Sequence, residues 1–163
     1  MQTVGIGQVL KRAIACEKQC GKLYRHLAQD FAAEPWLKRF WRSMQDDERR
    51  HARLLDEIRH SVPKAVLKSA AAETTLACLT ETERFLESHV DAQVETLDDA
   101  CRFAHRLEDH EMLSTFAVLA HPAVPPHLRE ALLRAVVDQH IGKLDRFNEN
   151  VGGQASRIAA RHA

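Results

Sequence analysis

Long apolar runs are missing from this 163-residue sequence. The short apolar stretch at its start is cut by Lys11 and Arg12, so neither a signal-peptide core nor a bilayer-spanning helix is expected. Net charge is missing too. The 23 Lys and Arg are balanced by 23 Asp and Glu, which argues against nucleic acid or another polyanion as partner. Glycine and proline are scarce, at six and five, and β-branched runs are few, so an all-helical chain is expected. The four cysteines contain no C-x-x-C pair, which excludes a zinc ribbon or a four-thiolate iron site. One domain, cytoplasmic and with reduced thiols, fits these features. Cys16 and Cys20, one helical turn apart, read as ordinary core or boundary thiols in preference to a redox pair.

What the chain does have is helical periodicity. A first helix is expected over about residues 5–31, with Leu10, Ala13, Glu17, Cys20, Tyr24, Leu27 and Phe31 inward. Glu34-Pro35 opens a second helix that runs to about His60 before Ser61-Val62-Pro63 ends it. The short link makes these two an antiparallel hairpin. Residues 61 to about 94 read as a connector that holds Cys78 and one short helix marked by Leu76, Leu79, Phe85 and Leu86, with Thr80-x-x-Glu83 as its candidate capping box. A third helix begins near Thr96, with Leu97, Cys101, Ala104, Glu108, Glu111, Thr115 and Leu119 inward. After His121–Pro126 a fourth carries Leu133, Val136, Val137, His140, Leu144, Phe147 and Val151 inward, and Gly152-Gly153 stops it. Residues 1–151 then form an all-α four-helix bundle, two antiparallel hairpins joined by a long crossover as in ferritin-like bundles, and residues 152–163 a flexible tail.

Each inner stripe is interrupted near its middle by residues that bind metals. Glu17 interrupts the first helix, Glu48 and His51 the second, Glu108 and Glu111 the third, and His140 the fourth. In the second helix the stripe Leu37, Phe40, Met44, Leu55, Ile58 passes through positions 48 and 51, where leucines would otherwise pack. Mid-helix positions of an antiparallel bundle meet at one level, so these carboxylates and imidazoles can converge in one buried layer. Buried carboxylates need pairing or a metal, and mixed carboxylate and imidazole ligation suits iron or manganese.

The stretches around these residues resemble the rubrerythrins. Glu17 followed seven residues on by Tyr24, the E-x-x-H of Glu48 and His51, the E-x-x-E of Glu108 and Glu111, and Asp138-Gln-His140 occur in that family's order. The resemblance covers about residues 5–60 and 95–150. It implies a ferritin-like fold and two iron ions, with Glu17 and His51 on one, Glu108 and His140 on the other, and Glu48 bridging. It also implies that Glu111 adjusts coordination with oxidation state, and that Tyr24 packs beside the site with its hydroxyl bonded to a ligand or as a core aromatic. Arg49 stands where haem-binding relatives have Met, so no haem is expected. No rubredoxin-like module accompanies the bundle, so a separate electron donor is expected.

The chain departs from the family at Val137, three residues before His140, where a second bridging carboxylate belongs. Two ions, a single ion (iron or manganese) or an empty, degenerate site remain open. The expected activity is peroxide reduction or Fe(II) oxidation by dioxygen. Iron storage and a helical interaction module are the alternatives. Trp36 and Trp41 read as packing or as contacts of a homodimer, and the remaining histidines as surface groups.

Overall fold

The computed structural model describes residues 4–90 and 94–161, and of residues 152–161 the backbone alone. Helix α1, Ile6–Asp30, and helix α2, Pro35–Ser61, form the first hairpin. Their inner faces repeat apolar residues at three- and four-residue spacing, which is why both bury one stripe. Pro35 starts α2 where its missing N–H is harmless, and Pro63 keeps Val62 extended and stops it. Gly21 of α1 faces Glu48 of α2, where a Cβ would lie in ordinary van der Waals contact, 3.4 Å from Glu48 Cβ.

The crossover contains α3, Lys64–Leu67, and α4, Glu73–Ser88. Its first part is tied to the start of α1 by Ile6 N–H donating to Ser69 O at 3.0 Å and Ala71 N–H donating to Val4 O at 2.9 Å. Gly5 is needed there because a Cβ would meet Leu67 O at 2.9 Å. Helix α4 then packs along α1 and α5. The Arg12 guanidinium of α1 donates to both Glu83 carboxylate oxygens at 2.8 and 2.7 Å and to Thr80 Oγ1 at 3.0 Å. Thr80 and Glu83 are therefore a mid-helix receptor for Arg12, not a cap. Helix α4 begins seven residues before Thr80 and includes Cys78.

Helix α5, Leu97–Leu119, begins as expected at Thr96, whose hydroxyl oxygen accepts the Asp99 N–H at 3.1 Å. The fourth long helix is continuous but not uniform. Its first part, α6 (Pro126–Leu133), widens into a π-helical segment over Arg134–Ile141 before α7, Gly142–Arg161. Two expectations fail here. The wide turn rotates Val137 out to 39% exposure while Ala135 and Val136 stay buried. The backbone also continues helically through Gly152-Gly153, because glycine lowers helix propensity without forbidding a helix. Residues 162–163 of the expected tail, and the side chains before them, lie outside the described residues. The architecture is the all-α ferritin-like bundle, with one buried apolar core between the long helices. No helix among the described residues is long and apolar enough to cross a membrane.

Candidate metal centre

All six residues that interrupt the inner stripes are buried, none more than 5% exposed. Their side chains meet in one layer at mid-bundle. Glu17, Glu48 and His51 offer ligand atoms within 4.8 Å of one another, and so do Glu48, Glu108 and His140. Glu48 belongs to both groups, one oxygen to each. Its Oε2 lies 3.1 Å from His51 Nδ1 and its Oε1 lies 2.9 Å from His140 Nε2. Glu17 Oε2 approaches His51 Nδ1 at 3.3 Å, and His140 Nε2–H donates to Glu108 Oε1 at 2.7 Å. The Tyr24 hydroxyl donates to the same Glu108 oxygen, and Thr115 Oγ1 donates to Glu17 Oε1 at 3.4 Å. Glu111 stands beside both groups without joining either, and neither of its oxygens has a hydrogen-bond partner.

Sequence reasoning passed over Asp47. It is 3% exposed, and its Oδ2 lies 3.4 Å from His140 Nδ1. Arg50 donates to Asp47 Oδ1 at 2.9 Å, and Lys143 of α7 also pairs with it. The imidazole thus has a carboxylate behind it, the arrangement that fixes ring orientation and tautomer for a metal-binding histidine. A signal was present: position 47 lies three after Met44 and four before His51, on the edge of the buried stripe.

Without metal, protons supply the missing positive charge. Burial works against an imidazolium at His51, but the Glu17 and Glu48 carboxylates overcome it and hold its pKa up to about 10. The same contest at His140, with Glu48 and Glu108 as partners, leaves it well above the usual histidine range. Burial acts to raise Glu48, yet the two imidazoles keep its carboxyl below its ordinary value. Burial pushes Glu17 up, and pushes Glu111 far up with the help of the charges on Glu17, Glu48 and Glu108. Burial likewise raises Tyr24, so its phenol stays protonated.

These buried carboxylates and imidazoles could hold divalent metal. Glu17 Oε2, Glu48 Oε1 and both Glu111 oxygens are buried acceptors without a hydrogen-bond partner. Such atoms are costly unless something positive satisfies them. The donor set is oxygen and imidazole with no thiolate in either group, which suits iron or manganese better than a structural zinc site. The fourth-helix carboxylate remains absent, and the π-helical turn shows that the inward place on the turn before His140 belongs to Val136.

Comparison with known proteins gave one result. Neither the curated proteins nor the solved structures yielded a match. A family model did: the Rubrerythrin model matches residues 8–132, which takes in Glu17, Tyr24, Glu48, His51, Glu108 and Glu111 and stops short of His140. With most of the chain matched and the carboxylate and imidazole residues gathered in one layer, this protein belongs to the rubrerythrin family.

Proposed function

We propose that this chain is a non-haem di-iron redox protein that reduces peroxide, with Fe(II) oxidation by dioxygen as the related activity of the same site. The observation that carries this reading is Glu48, whose two oxygens face two separate ligand groups. Glu17 and His51 would hold one ion, Glu108 and His140 the other, and Glu48 both. Two ferrous ions held there would supply one electron each, the two that breaking an O–O bond requires.

The chain's own residues set the conditions for that chemistry. Asp47 keeps the His140 ring aimed inward, and the Tyr24 O–H fixes Glu108. Glu111, with both oxygens free of partners, is the carboxylate able to turn toward an ion or to hold and release a proton at Oε1 or Oε2. Met44, Leu55, Ala104 and Leu107, all fully buried on α2 and α5, keep bulk water out. A layer this closed admits a molecule the size of peroxide or dioxygen more readily than a larger substrate. Four free thiols suit a reducing, cytoplasmic setting. Electrons would come from a separate donor, and a homodimer is the assembly we expect.

The test is metal analysis of protein purified without chelators, followed by peroxide consumption after anaerobic iron loading. About two equivalents of iron and stoichiometric peroxide loss are expected, and Glu48→Ala should lose both ions. Iron below one equivalent with no peroxide-driven oxidation would replace this reading with that of a helical module bearing a degenerate site. A large hollow assembly in solution would favour storage.

A further inference from the structure

The chain has two tryptophans and a single tyrosine. All three lie on one line of ring contacts leading from the surface to the metal layer. Trp36, at the start of α2, is 40% exposed. Its ring lies 5.8 Å from that of Phe147, which lies 5.6 Å from Trp41 and stacks on Phe40 at 3.6 Å. Phe40 in turn meets Trp41 edge-on at 4.8 Å. Trp41 is fully buried and stacks on Tyr24 with centroids 6.1 Å apart and planes 15° from parallel. Tyr24 reaches the ligand layer twice, through its hydroxyl to Glu108 and through its ring edge to His140 at 5.8 Å.

Packing alone accounts poorly for this series. Buried indoles usually find an acceptor for their N–H, whereas the Trp41 Nε1–H is buried with none. A phenylalanine would fill much of that space without stranding a donor. Indole and phenol are also the aromatic side chains that give up one electron most readily, and the chain spends every one it has on this line.

We propose that Trp36, Trp41 and Tyr24 form a path that carries single electrons from the protein surface to the carboxylate–imidazole centre. The purpose of the path rests on the redox reading above, but its existence does not. In each transfer Tyr24 gives one electron to an oxidised centre and its phenolic proton passes to Glu108 Oε1. Trp41 then reduces the tyrosyl radical, with the proton returning from Glu108 to the phenol oxygen. Trp36 reduces the Trp41 radical cation across the Phe147 and Phe40 rings, and a one-electron donor in solution reduces Trp36. The net change is one electron moved inward, with no bond made or broken in the protein.

The test uses the full-length chain, stripped of other metals and then loaded with redox-silent zinc. Photogenerated ruthenium(III) tris-bipyridine would serve as a one-electron oxidant that reaches only the surface. Oxidation at Trp36 should move inward and appear as a tyrosyl radical by electron paramagnetic resonance, a signal that only Tyr24 can give. Trp41→Phe should slow its appearance at least tenfold while leaving zinc stoichiometry unchanged. Trp36→Phe, at the exposed end of the path, should lower its yield, and Tyr24→Phe should leave an indole radical in its place. An equal rate of tyrosyl formation in Trp41→Phe, or no tyrosyl radical in the unmodified chain, overturns the path. Because no iron is involved, a positive result beside a failed peroxide assay would retire the proposed activity and keep the path.

Discussion

Asp47 offers the sharpest separation between a metal centre and a buried cluster of charges. It touches one imidazole only, His140, and that imidazole belongs to one ligand group only. Replacing Asp47 by Ala removes the acceptor behind His140 Nδ1, and the ring is then free to turn or to take the wrong tautomer. Outer partners of metal-binding histidines typically contribute a factor of about 10–100 in affinity, or about 1.4–2.8 kcal/mol. The loss should fall on one ion, because the Glu17, Glu48 and His51 group does not involve Asp47. Competitive titration with a chelator, using cobalt(II) as a coloured probe, should show two tight sites in the unmodified chain. Asp47→Ala should bind in two separated steps, the first unchanged and the second weakened about 10–100-fold. Asp47→Asn keeps a carbonyl oxygen that can accept from Nδ1–H and should fall between the two. Two unchanged steps, or an equal weakening of both, would refute the link from Asp47 through His140 to a single ion.

Two further predictions concern charge in the layer. In chelator-treated protein the raised His51 contributes stability that is complete below about pH 6.5, its unfolded value. That contribution shrinks as pH rises and is gone above about 10. The raised Glu17, Glu111 and His140 act in the same direction, so urea midpoints should fall steadily from pH 6.5 to 10. Midpoints that stay level would show that the layer does not hold these protons. Val136→Glu should place a carboxylate on the inward turn before His140. The metal-free variant should lose about 3–5 kcal/mol, the usual consequence of an uncompensated buried charge, and recover on metal addition. A melting temperature that metal does not restore would show that Val136 faces elsewhere.

The bounds of α1, α2 and α5 were legible because local signals and the buried stripe agree. Pro35, Pro63 and the Thr96–Asp99 cap coincide with the ends of the apolar periodicity. The crossover helix was legible from Leu79, Phe85 and Leu86, but its cap was misread because Thr-x-x-Glu describes both a cap and any two residues a helical turn apart. Only the Arg12 contact distinguishes the two. The π-helical turn left no trace in the sequence, since helical phase there is decided by what α6 and α7 pack against. Counting three back from His140 therefore reached the solvent-facing Val137 instead of Val136. The gathering of Glu17, Glu48, His51, Glu108, Glu111 and His140 followed from period alone. Asp47 did not, because its partners His140 and Lys143 come from another helix.

The two ligand groups differ in what the chain must complete to build them. Glu17, Glu48 and His51 all come from the α1–α2 hairpin, whereas the second group waits for α5 and the far side of the π-helical turn. Local contacts form early and N-terminal segments fold first during synthesis. A nascent chain that has released only its opening hairpin thus already carries three donors able to capture a cation. The second group is complete only when the last helix docks, so in a two-ion centre of the kind proposed above the first cation would template folding and the second would seal it.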